Sequence, residues 1–98
     1  MFEIGFNSDN QVIVAGRLDA SHSDEALRFL DTLTAPCVVN LEKVEYISSA
    51  GLGALLATQQ RLAESHGGGL RLIKLNKHLS EIFRIAGFDQ VFDIEFET

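Results

Sequence analysis

The run from Val38 to Gly53 narrows the possible folds more than any other part of the chain. It passes from the apolar segment Val38-Val39-Asn40-Leu41 through a short polar stretch to paired serines and Ala50-Gly51-Leu52-Gly53. Leu52, Leu55, Leu56, Leu62 and Ala63 then keep the three-to-four spacing of a helix with one apolar face, and Gly67-Gly68-Gly69 stop it. The spacing predicts a buried strand, a turn, and a helix from about Ala50 to His66. Cys37 to Leu41 is apolar on both faces, which suits the centre of a sheet covered by helices. Asn40 interrupts that run and reads as a hydrogen-bonding residue for the following loop.

The serines stand where the helix begins. Ser49 is predicted as its N-cap, because a serine oxygen can accept from the free amides of the first turn. Those amides and the helix dipole also favour negative charge, so a phosphate on Ser49 would be tolerated by its own domain. Spacing alone leaves both readings open, a simple cap or a switch.

The rest of the chain supplies the partners for such a strand. Phe2, Ile4 and Phe6 alternate with Glu3 and Gly5, Asn7-Ser8-Asp9-Asn10 has turn chemistry, and Val12 to Ala15 completes a β-hairpin. Gly16-Arg17-Leu18-Asp19 is read as leaving the strand. Ser21 or Ser23 can cap a helix with Ala26, Leu27, Leu30 and Leu33 on its apolar face, ended by Thr34-Ala35-Pro36. Asp19 therefore falls in a loop, as a turn or cap residue on pattern alone. If its strand runs parallel to Cys37–Leu41, that loop lies at the same sheet end as Ser49. Leu70 to Leu75 is a further strand, parallel to the central one through its helical crossover. Asn76 can cap a third helix with Leu79, Ile82, Phe83 and Ala86 on one face, Gly87 stops it, and Val91 to Phe96 is a last short strand. The expected whole, residues 1–98, is one α/β domain in the order β-β-α-β-α-β-α-β.

Chemistry is mostly excluded. Fourteen acidic and eight basic residues leave a net charge of −6 with no basic cluster, so direct nucleic-acid contact is not expected. His66-Gly67-Gly68-Gly69 imitates an oxyanion-hole tetrad, but no Gly-x-Ser-x-Gly elbow accompanies it. Gly51-x-Gly53 lacks the third glycine of a dinucleotide fingerprint, and no P-loop is present. His22, His66 and His78 lie far apart, which argues against a metal site. Cofactors are therefore not expected, and no base oriented toward Ser49 suggests an enzyme. Cys37, the single cysteine, reads as a small buried hydrophobe. The start Met1-Phe2-Glu3-Ile4 lacks secretion-signal features, and no apolar stretch is long enough to span a bilayer. A reducing cytoplasm is the expected setting.

Tyr46-Ile47-Ser48-Ser49-Ala50-Gly51-Leu52-Gly53 resembles the segment around the phosphorylatable serine of STAS-domain anti-sigma factor antagonists. Residue by residue, Ser49 falls on the phosphoacceptor, Gly51 on the glycine of the pattern, and Ser48 on its Asp. Gly16-Arg17-Leu18-Asp19, Val39-Asn40-Leu41 and Leu79-to-Phe88 are similar to further family segments in the same order, so the resemblance covers Gln11 to Phe96. It implies a STAS-like fold, an initial hairpin joined to a mixed, largely parallel sheet of about five strands with helices packed on it. It also implies a module that binds a serine kinase acting as anti-sigma factor, is released by phosphorylation of Ser49, and is reset by a serine phosphatase. The partner-facing residues would be Asp19, Ser48, Ser49, Ala50, Gly51 and Leu52. Serine in place of the family's Asp at position 48 keeps a second role open, a non-catalytic STAS subunit of a transport assembly that docks without phosphorylation.

Overall fold

Alternating side chains at the start of the chain build the edge of a sheet. β1 (Phe2–Phe6) pairs antiparallel with β2 (Val12–Leu18), Phe2 facing Gly16 and Phe6 facing Val12. The Asn7 carboxamide oxygen accepts from the amides of Asp9 (3.0 Å) and Gln11 (2.9 Å), which is the turn chemistry expected of that segment. The computed structural model describes residues 2–96; Met1, Glu97 and Thr98 of the expected 1–98 span lie outside the described residues.

The central strand, β3 (Cys37–Ile47), is longer than its apolar run. It lies parallel to β2 and to β4 (Leu70–Ile73), and β4 lies parallel to β5 (Asp93–Ile94), giving the order β1-β2-β3-β4-β5. The residues read as a turn after Leu41 stay in the sheet because Val44 and Ile47 are buried in the core. A register shift opposite Ile13 and Ala15 absorbs the polar stretch, and there the Asn40 side-chain oxygen accepts from the Glu42 amide at 2.9 Å. Asn40 thus bonds onward as expected, although to strand and not to loop. For the same reason β2 does not end at Gly16: Arg17 pairs with Tyr46 and Leu18 with Ile47, and Leu18 is buried.

Ala26 and Leu30 of α1 (Ser23–Leu30) and Leu55 and Leu62 of α2 (Ser49–Ser65) join Val12, Val14, Val39 and Leu41 in one core. Neither Ser21 nor Ser23 caps α1. His22 holds the cap position, and the Ser23 hydroxyl donates back to the Ala20 carbonyl at 3.2 Å. The helix stops before Leu33, which nevertheless remains buried. The carbonyl of its last residue and that of Leu33 beyond it are claimed across the structure by Arg61 of α2, whose guanidinium donates to Leu30 O (2.9 Å) and Leu33 O (3.0 Å). Arg61→Met, which keeps much of the stem and removes the donors, should lower unfolding free energy by about 1.5 kcal/mol in denaturant titration. An unchanged midpoint would mean that water satisfies those carbonyls equally well.

α3 (Lys77–Ile85) begins as expected, with the Asn76 side chain accepting from the Leu79 amide at 2.8 Å. Its inward face is narrower than the spacing suggests: Leu79 and Phe83 are buried, whereas Ile82 and Ala86 are exposed. Phe83 instead packs edge-on to Phe88 (5.7 Å between centroids) and tilted to Phe92 (6.3 Å). Gly87, at φ 75°, makes the left-handed turn that brings those rings back. A 3-10 turn at Phe88–Gln90 and the burial of Phe92 then use up residues read as strand, leaving β5 only Asp93–Ile94. Cys37 is half-buried, its Sγ donating to the Ala35 carbonyl at 3.2 Å, and burial pushes its thiol pKa up, so it stays a neutral thiol.

Candidate functional site

Parallel pairing of β2 and β3 brings their C-terminal ends together, and with them the two loops that carry the polar candidates. Leu18 faces Ile47, and beyond that pair the Ser48 amide donates to the Leu18 carbonyl at 2.9 Å. The Asp19 loop and the start of α2 are thereby held side by side.

The capping serine is Ser48, not Ser49. Ser48 has extended backbone angles (φ −87°, ψ 173°), and its side chain accepts from the Gly51 amide at 3.2 Å. Ser49 is already the first helical residue, where its hydroxyl has no such geometry, so the helix begins one residue earlier than the apolar spacing suggests. Ser49 and Ala50 are exposed, Ser48 and Leu52 are half-buried, and Gly51 is buried. Among the described residues no hydrogen bond reaches the Ser49 hydroxyl. Ser48→Ala should therefore cost about 1 kcal/mol, read as a lower thermal midpoint, while leaving the Ser49 hydroxyl in place.

Gly51 is where helix and loop touch. A Cβ at that position would overlap the Leu18 carbonyl oxygen and come within 2.8 Å of the Leu18 Cγ, whereas Gly53 has open space around it. The two glycines of Gly51-Leu52-Gly53 thus differ in kind: one permits the close approach that assembles the site, the other faces out.

Asp19 is engaged from several sides. One carboxylate oxygen accepts from the Ser21 amide at 3.1 Å and lies 2.9 Å from His22 Nδ1, and the other lies 3.7 Å from Arg17 Nε. His22 Nδ1 is also 3.1 Å from the Arg17 carbonyl, and its ring stacks on Phe2 at 5.0 Å. The turn role read from pattern is present, and the carboxylate keeps 25% of its side-chain surface exposed. Next to it, the Arg17 guanidinium lies over the Tyr46 ring at 4.5 Å. Reading the sequence alone left Arg17, Tyr46 and His22 out of the site. Arg17 and Tyr46 meet only through the parallel register, which no local pattern reports.

Residues 5–94 match the family described as "Mlab, STAS domain". The chain belongs to the STAS-domain family. Among STAS relatives, the protein of Bordetella bronchiseptica named as anti-sigma factor antagonist BtrV is 39% identical over 57 residues. That match takes in 58% of this chain and 48% of BtrV, so it spans about half the length of that relative. Three solved structures share the fold. A Thermotoga maritima protein named as an anti-sigma factor antagonist superposes with a TM-score of 0.78 at 20% identity, over 99% of this chain and 87% of the other. SpoIIAA in its unphosphorylated form gives 0.69 at 17% identity, over 100% and 90%. The Bacillus SpoIIAA phosphorylated form gives 0.67 at 18% identity, over 99% and 93%. The expected α/β architecture with its initial hairpin and mixed five-stranded sheet is the one observed.

Proposed function

We propose that this STAS domain is a protein-binding module, an anti-sigma factor antagonist whose unphosphorylated form engages a serine kinase that is also the anti-sigma factor. Phosphorylation of Ser49 releases it, and a serine phosphatase restores it. The observation that carries this reading is the division of labour between the paired serines. Ser48 does the capping, which leaves the hydroxyl of Ser49 exposed and unengaged at the head of α2. The similarity to a relative named as an anti-sigma factor antagonist supports it, as does the existence of one structural neighbour in unphosphorylated and phosphorylated forms.

The contact surface in this reading comprises Asp19, Ser48, Ser49, Ala50, Gly51 and Leu52, with Gly51 contributing through the backbone shape it allows. A dianion at Ser49 disfavours the complex because it must lose hydration against a surface shaped for a hydroxyl. The domain acts as a substrate and ligand, not a catalyst, since a serine nucleophile needs an adjacent base and none bonds to Ser49 among the described residues. No helix among the described residues is long and apolar enough to cross a membrane.

Incubation with Mg-ATP and each serine kinase of this type from the same genome, followed by phosphopeptide mass spectrometry, tests the reading. The expected product carries one phosphate on Ser49, and the modified protein loses its kinase partner in pull-down. Serine at position 48, where the family pattern has Asp, favours a second reading in which the same face docks a transport assembly without phosphorylation. Stable capture of permease components by a protein that no kinase modifies would establish that alternative.

A further inference from the structure

Arg17 is held ready without being used up, a posture it shares with Arg84, whose guanidinium lies over the Phe96 ring at 4.2 Å. The Arg17 guanidinium lies over the Tyr46 ring, 4.5 Å from the centroid, and contacts Asp19 only through Nε at 3.7 Å. Among the described residues it donates no hydrogen bond, and 57% of the side chain is exposed. By contrast, Arg61 and Arg71 spend their donors on carbonyls and carboxylates. Two observations fix the posture of Arg17. Tyr46, itself 40% exposed, stands opposite it across the parallel strands, and Asp19 is tethered by the Ser21 amide and His22. The same end of the sheet carries the Ser48 amide bonded to Leu18, the residue after Arg17.

We propose that Arg17 is the internal receptor of a phosphate on Ser49. Modification therefore rebuilds this surface as well as charging it, an inference that rests on reading Ser49 as the phosphoacceptor. In the unmodified protein Arg17 offers a cation resting on an aromatic ring beside Asp19. A phosphate two residues beyond the Leu18–Ile47 pair presents three acceptor oxygens to the free fork of the guanidinium, a stronger partner than a carboxylate touched by one nitrogen. Arg17 then leaves the ring and Asp19, so a partner that reads Asp19 and Tyr46 meets a different arrangement. The charged and titratable groups placed around Arg17 are Asp19 and His22 from the loop before α1, and Tyr46 from β3.

Phosphoserine installed at position 49 of the full chain by stop-codon suppression makes the test independent of any kinase. Phosphorus NMR titration reads the second ionisation of the phosphate. Its midpoint should lie lower in the Arg17 protein than in Arg17→Gln by about half a unit or more, because a neighbouring cation favours the dianion. Arg17→Lys, which keeps the charge without the fork, should fall between them and serves if the glutamine variant folds poorly. Tyr46 is the only tyrosine in a chain without tryptophan, so its fluorescence reports the ring separately. Emission should change on modification of the Arg17 protein and stay constant in Arg17→Gln. Equal midpoints in the three proteins overturn the inference while leaving Ser49 an acceptor. Refusal of Ser49 by every kinase counts against the functional reading instead.

Discussion

Alanine at position 51 is expected to loosen the junction between α2 and the β2 end, lowering stability by about 3 kcal/mol, at the upper part of the range for overpacked sites. The added methyl group would overlap the Leu18 carbonyl oxygen and crowd Leu18 Cγ at 2.8 Å. Neither neighbour can give way cheaply. Leu18 is buried in the core, and its carbonyl holds the Ser48 amide that starts the helix. Relief requires α2 to lift from the sheet or its first turn to fray, and either movement separates Ser49 from Asp19. A domain of this size should lose roughly 10–20 °C of thermal midpoint for such a change. The variant should also bind its partner poorly even below the transition. Gly53→Ala provides the internal comparison: space around it is open, the position is helical, and alanine there should stabilise by about 0.5–1 kcal/mol. Equal behaviour of the two variants would show that the close approach at Gly51 is not what seats the helix.

At Ser49 stability and affinity should part company. Ser49→Ala removes the proposed acceptor from an exposed, non-capping position, so the fold should change by no more than about 0.5 kcal/mol. Binding to the kinase partner should persist in the presence of Mg-ATP, because the protein can no longer be released. Ser49→Asp adds a charge in the first helical turn, which the dipole should reward with about 0.3–1 kcal/mol. The same charge imitates part of a phosphate at the contact surface and should weaken partner binding about tenfold, equivalent to about 1.4 kcal/mol. Full phosphorylation, with nearly two charges, should weaken it about a hundredfold or more. Paired melting curves and calorimetric titrations decide the matter. If Ser49→Asp binds as tightly as the unmodified protein, charge at this position does not control the complex.

The contrast between Ser48 and Ser49 also marks how far reading the sequence reaches. The hairpin, the central strand at Cys37–Leu41 and the Asn76 cap are legible because each is encoded in neighbours a few residues apart. Period-two and period-3.6 patterns, Asn-rich turns and glycine stops report the local backbone directly. The resemblance around Ser49 added the fold and the family in the same way, through short ordered motifs. Which of two adjacent serines caps α2 lay beyond that reach, since both satisfy the local rule and only the docking of Ser48 onto Leu18 selects one.

The same limit explains the strand that ran on to Ile47 and the strand that shrank to Asp93–Ile94. Charged residues at Glu42, Lys43 and Glu45 look like a loop, yet Val44 and Ile47 hold them in the sheet by burial. Val91 to Phe96 looks like a strand, yet Phe92 turns inward to meet Phe83 and Phe88. The amino-acid order by itself determined the kind and succession of elements and placed a serine at a helix start. Tertiary packing decided where the elements end, why residue 51 must lack a side chain, and which groups surround Asp19. Local periodicity records the face that a residue prefers to bury, whereas strand register and helix docking depend on partners tens of residues away.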